Sequence, residues 1–243
     1  MPDRGIVPMA QMAAAIHAGG MVAGAFEQEG LAGFVYGFPA IHGGDAEAPG
    51  LHSHMLAVLP DFRGRGIGKA LKWYQRAWCL EQGLSWMTWT FDPLQRRNAH
   101  LNFQYLGATV SEYLVNAYGN LEDDLNIGLP TDRLVALWEL AEERVVSCAD
   151  GKPLNSPKID LISKALSKSP EGYPEATNLG LSDTQVSIAT PENINELMRT
   201  EPELAAKWRL AVRDVLLNYL ESGYKVIHFY EGSFILEKRM LHT

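Results

Sequence analysis

The apolar positions of this chain recur with two different periods, and the switches between them divide it into elements. Residues 8–17 have the alanine-rich, helical spacing of a short helix, whereas residues 21–26 and 31–38, parted by the Glu29-Gly30 turn, read as a two-stranded hairpin. The Gly- and Pro-punctuated stretch 39–50 reads as a loop. An apolar strand follows at 51–59 and stops at Pro60. From Gly66 onward Ile67, Leu71, Tyr74 and Trp78 return at intervals of three and four, which predicts an amphipathic helix ending at Gly83. Residues 86–91 predict a strand closed by Asp92-Pro93, residues 98–106 a short helix stopped by Gly107, and residues 109–118 and 133–140 two more strands.

Periodicity weakens after Asp150. Residues 151–182 are rich in Lys, Ser, Pro and Gly and read as a linker between residues 1–150 and an ordered extension over 183–243. That extension predicts a strand at 185–189, a helix at 191–198, a longer helix with Leu204, Trp208, Val212, Val215 and Tyr219 on one face, and strands at 225–230 and 233–237. The stripe on the long helix requires a cover.

The junction after Leu59 carries the clearest chemistry. The run Arg63-Gly64-Arg65-Gly66-Ile67-Gly68-Lys69 lies between a strand and a helix, where glycines admit an anion close to the backbone and the first-turn N–H groups and helix dipole favour negative charge. A phosphorylated ligand suits such a turn. Two nucleotide readings fail on spacing. A Walker loop would need glycine where Arg63 stands and a hydroxyl where Ala70 stands; a dinucleotide fingerprint would need its third glycine one residue later and an acid near Met87 and Thr88.

Composition narrows the remaining classes. The 243 residues are 47% hydrophobic, enough for one large core or two small ones. A net charge of −8, with basic residues grouped only at 63–69 and at Arg96-Arg97, argues against a nucleic-acid partner. Cys79 and Cys148 have neither disulfide nor zinc spacing, so a cytoplasmic, reducing setting and no metal are expected. Gln11, His17 and Gly19-Gly20 interrupt the apolar residues 8–26, and no stretch reaches the ~18–20 residues of a membrane span, so no membrane partner is expected.

Arg63-Gly64-Arg65-Gly66-Ile67-Gly68 matches each fixed position of Arg/Gln-x-x-Gly-x-Gly/Ala, and so resembles the phosphate loop of the GNAT acyltransferase superfamily. The predicted order β-β-β-α-β-α-β-β is similar to that family's. The resemblance implies an α/β fold with a mixed sheet, N-terminally shortened, because members normally begin with a further strand and helix. It also implies an acyl-coenzyme A donor, acetyl-CoA or succinyl-CoA. The cofactor contacts it implies are Arg63, Gly64, Arg65, Gly66, Ile67, Gly68, Lys69 and Asn98, with the backbone of Leu56, Ala57 and Val58 pairing with the pantetheine arm. With Leu129-Pro130-Thr131-Asp132-Arg133, the extension is similar to that of a group of predicted bacterial GNAT proteins, some linked with N-acylation, including succinylation, of amino acids. The extension is expected to complete the sheet or to join two chains as a homodimer.

Acyl transfer to an amine needs a route for the amine proton, since a primary amine with pKa near ~10 is mostly protonated at neutral pH. His52 and His54 alternate onto one strand face, and His52-Ser53-His54-Met55-Leu56-Ala57-Val58 is similar to the His-x-His-x-Leu-Ala-Val segment of arylalkylamine N-acetyltransferases, where paired histidines pass the proton to water. Packing on a central strand is the other reading of the pair. The family's usual general-acid tyrosine is replaced by Phe103, and Tyr105 is read as packing. Tyr118 and Arg133 are the candidate substrate contacts, Arg133 through the fork geometry that suits a carboxylate, with a surface or intramolecular ion pair as its other reading. Two classes of function follow: an acyl-CoA-dependent N-acyltransferase acting on a small-molecule amine or amino acid, and a catalytically inactive acyl-CoA-binding or assembly module.

Overall fold

A computed structural model describes residues 7–42, 45–119, 129–152, 154–155, 157–175 and 177–239. The first half contains α1 (Met9–His17), β1 (Met21–Glu27), β2 (Gly30–His42), β3 (Asp45–Val58), α2 (Ile67–Glu81), β4 (Trp86–Phe91), α3 (Arg96–His100), β5 (Thr109–Leu114) and β6 (Arg133–Glu139). Next come α4 (Glu143–Ala149), β7 (Ser163–Lys168), β8 (Pro174–Glu175), β9 (Gln185–Ala189), α5 (Ile194–Thr200), α6 (Pro202–Glu221), β10 (Tyr224–Tyr230) and β11 (Ser233–Lys238). The fold is mixed α/β. It packs as two compact units, Met1–Trp89 with Trp138–Ala149, and Thr90–Leu137 with Asp150–Thr243.

In the first unit β1, β2 and β3 are antiparallel neighbours and β4 lies parallel to β3. The hairpin of β2 and β3 is longer than its sequence suggests. Residues 39–50, expected as a loop, continue the ladder through Pro39↔Leu51, Ala40↔Gly50 and Ile41↔Pro49. Pairing with a long partner overrides the local breaking tendency of proline and glycine, as tertiary context commonly does in sheets.

Helix α2 buries Leu71, Lys72, Gln75 and Cys79. The expected stripe of Ile67, Leu71, Tyr74 and Trp78 is thus rotated, and Tyr74 is 58% exposed. The reason is a box of indoles around a lysine. Lys72 Nζ sits 3.8 Å from the centre of the Trp89 ring and 5.5 Å from that of Trp138, and donates to Gln75 Oε1 at 3.0 Å and toward Met87 Sδ at 3.3 Å. Aromatic faces attract an ammonium. Without a carboxylate among these contacts, burial pushes the Lys72 ammonium down to about 7, with Cys79 acting the other way.

The second unit carries the strand order β6-β5-β10-β11-β9-β7-β8, antiparallel except for the parallel pair of β7 and β9. The C-terminal strands enter beside β5, at Val226↔Val110, while β1 of the first unit pairs only with β2 among the described residues. Helix α6 buries Leu204, Trp208, Val212, Val215 and Tyr219, the stripe read from the sequence, and adds Arg209 to it. Such side chains contribute ~1.5–3 kcal/mol each on burial.

The polar stretch expected as a linker contains β7 and β8. Polar atoms of the extension's aromatic residues hold the backbone around it. Trp208 Nε1 donates to Gly172 O at 2.9 Å, Tyr219 Oη to Asn178 O at 2.7 Å and Tyr224 Oη to Asp183 O at 2.7 Å. Order there comes from donors distant in sequence, which composition cannot reveal.

Lys72 makes the stability of the fold depend on pH. Between its ordinary value of 10.5 and its folded value of about 7, the unfolded chain holds a proton that the folded chain lacks. Stability therefore falls as the pH is lowered through that window, and the penalty is complete below it. Lys72→Met is expected to melt several degrees above the natural chain at pH 7, with the gap nearly closed at pH 10. Thermal unfolding of both proteins at the two pH values checks this; a gap independent of pH would contradict it.

Candidate functional site

Strand β3 is irregular where the candidate residues cluster. Its register against β2 passes from Gly37↔Ser53 to Tyr36↔Met55, so His54 is an extra residue with no partner opposite, a β-bulge. On the other side, the register with β4 runs through Leu51↔Met87 and His52↔Thr88 and, among the described residues, ends there. The stretch Leu56, Ala57 and Val58 is held by β2 along one edge, opposite Val35, Phe34 and Gly33. Its other edge lies beyond the last β4 pair.

That edge leads directly into the glycine turn. After a 3-10 turn at Pro60–Phe62, Gly64 and Gly66 take φ of +80° and +81°, a left-handed conformation that other residues adopt only at a cost. Gly66 caps α2, and the first helical bond is Ala70 N to Gly66 O at 2.9 Å, so the first-turn N–H groups of Ile67 and Gly68 precede the ladder. A Cβ on Gly68 would meet nothing closer than Leu56 Cδ2 and Val58 Cγ2, each at 3.8 Å. On Gly64 and Gly66 a Cβ would stand in open space. Arg63 Nε donates to Val58 O at 3.1 Å, tying the turn to the strand end, and Arg65 pairs with Glu27 at 3.0 Å on the surface. Lys69 is exposed at the start of α2.

The two histidines meet on one aromatic face. Their rings are 6.1 Å apart, His52 lies 5.3 Å from Phe38, and His54 lies 5.6 Å from Phe38 and 5.8 Å edge-on to Tyr36. His52 is half-buried and His54 exposed. Nδ1 of His52 is 3.2 Å from Thr88 Oγ1, so its other ring nitrogen remains for a proton exchange. Burial lowers the His52 pKa, and the positive charges of His54 and Lys72 lower it further. The lowered value favours the neutral imidazole, the form that has a lone pair to accept a proton.

The other candidates belong to the second unit. Asn98 is exposed on α3. Arg133 and Tyr118 are together: the guanidinium lies 5.1 Å over the Tyr118 ring, and Tyr118 Oη is 2.7 Å from Thr90 Oγ1. Behind them sits an ionic core that sequence reading missed apart from Arg133. Asp92 accepts two bonds from Arg209, and fully buried Asp132 accepts two from Arg213, one from Tyr113 Oη and one from Asn116 N. Burial alone would raise the Asp132 pKa, but the hydrogen bonds from Arg213 and Tyr113 outweigh it and the net direction is down. Three arginines thus face two carboxylates. Arg133 is the surplus cation, 4.0 Å from an Asp92 oxygen already taken by Arg209, with Nη1 bonded to Asp132 O at 2.8 Å. A half-buried guanidinium stacked on tyrosine is chemically a receptor for a carboxylate.

Phe103 is fully buried against Phe91 and Phe234 and supplies no proton. Tyr105, expected to pack, is 46% exposed, with its ring edge-on to His100. The cause is a π-turn over Leu101–Tyr105, closed by Leu106 N to Leu101 O at 3.1 Å, which extends α3 where a single α-helix was expected and shifts the phase of its last residues. Among the described residues, no three His, Cys, Asp or Glu side chains are grouped to hold a metal, and no helix is long and apolar enough to cross a membrane.

Comparison with known proteins bears on the first of these clusters. Residues 4–107 match the model of the acetyltransferase (GNAT) family, a span that contains β3, the glycine turn and α2. A search of curated proteins finds no match. Among solved structures, the chain is similar to a GNAT family acetyltransferase from Elizabethkingia anophelis with acetyl-CoA bound, at 14% identity and a TM-score of 0.43, over 54% of this chain and 83% of that one. It is similar to an N-acetyltransferase from Staphylococcus aureus at 14% identity and 0.46, over 54% and 74%. It is also similar to the ribosomal-protein-S18-alanine N-acetyltransferase from Escherichia coli at 13% identity and 0.46, over 58% and 81%.

Proposed function

We propose that the GNAT acetyltransferase domain of this chain transfers an acyl group, acetyl or succinyl, from acyl-coenzyme A to the amine of a small molecule or amino acid. The observation that carries the reading is the continuity of a bulged strand, half-released from its neighbour, with a glycine turn at a helix N-terminus. The residues fit the donor. Gly64 and Gly66 keep the turn free of side chains, with open space where a Cβ would stand, and an anion there meets backbone donors and the positive end of α2. An extended amide-bearing chain such as pantetheine can add to the outer edge of residues 56–58 as a further strand would.

The donor, when bound, supplies an activated acyl group as a thioester. What remains falls to this chain. A backbone N–H within residues 56–58 polarises the carbonyl, a preorganised contribution commonly worth ~3 kcal/mol. His52, neutral at pH 7, and exposed His54 carry the amine proton toward solvent. Arg63, Arg65 and Lys69 supply positive charge around the turn. The carboxylate receptor of Arg133 and Tyr118 supports an acceptor of amino-acid type or a dicarboxylic acyl group.

Gly66→Asp separates this reading from a merely flexible turn. Gly66 takes φ of +81° with open space where a Cβ would stand, so the substitution brings backbone strain but no clash within the chain, and thermal unfolding checks that the variant folds. The added carboxylate faces the proposed pyrophosphate seat, so calorimetry on the folded variant should show coenzyme A binding weakened about tenfold or more. Unchanged affinity would contradict the assignment. For the proton path, the kcat/KM deficit of the double variant His52→Gln/His54→Gln should grow as the pH is lowered from 9 to 7, because the share of free amine shrinks. A deficit constant across that range would make the pair structural.

A further inference from the structure

The second unit contains a cavity of about 330 Å³ that shares no residue with the glycine turn, the histidine pair or the Arg133 cluster. Its lining includes Arg96, Lys164 and Lys168, and opposing them Asp160, Glu192 and Glu231. Three positive and three negative side chains converge on one small volume. Yet among the described residues none of the six forms an ion pair within 4.0 Å with another.

Arg96 is the fixed point of this lining. Its guanidinium donates to Thr190 Oγ1 at 3.0 Å and, through Nη2, to Thr190 O, and it lies flat on the backbone of Gly232, where an added Cβ would collide with it. Thr190 is itself held by Gly232 O, which accepts from Thr190 Oγ1 at 2.7 Å and from Thr190 N at 3.0 Å. These bonds orient the arginine and leave its charge without a carboxylate. Burial lowers its pKa and the charge of Glu192 acts the other way, so the half-buried cation bears a desolvation cost that no bonded anion offsets. The turn that carries Gly232 is also strained: Glu231 takes φ of +47°, at a hairpin position that favours Asn, Asp or Gly. An acidic side chain is kept there against backbone preference.

We propose that this cavity is a binding site for a free amino acid, whose carboxylate is taken by Arg96 and whose ammonium is taken by the opposing acids Glu192 and Glu231. The volume lies at the small end of ligand pockets, ~300–1,000 Å³, and suits a molecule of that size. The charge balance selects the class. A phosphate would meet three carboxylates and a simple amine three cations, whereas a zwitterion answers both groups at once.

The test is calorimetric titration of the full chain with the twenty free amino acids, and with propionate, propylamine and inorganic phosphate as single-group probes. At least one amino acid is expected to bind ten times more tightly than any single-group probe. Arg96→Gln and Gly232→Ala should each weaken it at least tenfold. Lys164→Gln, at an exposed position, serves as the second variant if Gly232→Ala fails to fold, and should weaken binding severalfold. Absence of amino-acid binding, a preference for phosphate, or binding that survives Arg96→Gln unchanged would overturn the proposal. Coenzyme A titrated in parallel reports on the acyl-transfer reading separately, since either can fail while the other stands.

Discussion

One extra residue in β3 organises the first unit. Because His54 has no partner on β2, the strand must bend at that point, and its ladder with β4 ends two residues earlier at His52. A sheet interior normally satisfies both edges of every strand, so a strand released on one side at its C-terminal end is an acceptor for another extended chain. The same distortion brings the two imidazoles within 6.1 Å on the aromatic face made with Phe38 and Tyr36. Arg63 fastens the end of this strand to the glycine turn through Val58 O, so the strand edge that carries the imidazoles is tied to the turn.

In the second unit the governing interactions are buried ion pairs. Arg209 and Arg213 lie four residues apart on α6 and reach Asp92 and Asp132 with paired bonds. Such pairs gain little net stability over an apolar core but strongly penalise misalignment, because a buried charge left alone costs several kcal/mol. Their consequence is positional. With both aspartates taken, Arg133 is left 4.0 Å from an Asp92 oxygen that Arg209 already holds, beside the hydroxyls of Tyr118 and Thr90. A similar logic operates at Arg96, where threonine and glycine rather than a carboxylate hold the guanidinium.

Much of this was legible from residue order. The strand, turn and helix around residues 51–81 follow from an apolar run, three spaced glycines and helical periodicity, and the α6 stripe follows from the same period. What escaped depends on partners far along the chain. The His54 bulge is a property of register between two strands, and nothing in His52-Ser53-His54-Met55 marks it. The lysine facing inward from α2 breaks the polarity pattern and is explained only by Trp89 and Trp138. Arg209 looks like a surface arginine until Asp92 is beside it, and the π-turn that exposes Tyr105 leaves no compositional trace.

The central claim, that the released edge of β3 receives the donor's pantetheine arm while the glycine turn receives its pyrophosphate, is tested most directly by residue-resolved amide hydrogen exchange. Coenzyme A should slow exchange both at Gly66, Ile67 and Gly68 and at those amides of Leu56, Ala57 and Val58 that are not bonded to β2. Adenosine 3′,5′-bisphosphate, which lacks the pantetheine arm, should leave the β3 amides as they were. Protection of the turn with no change along residues 56–58 when coenzyme A is bound would contradict the account.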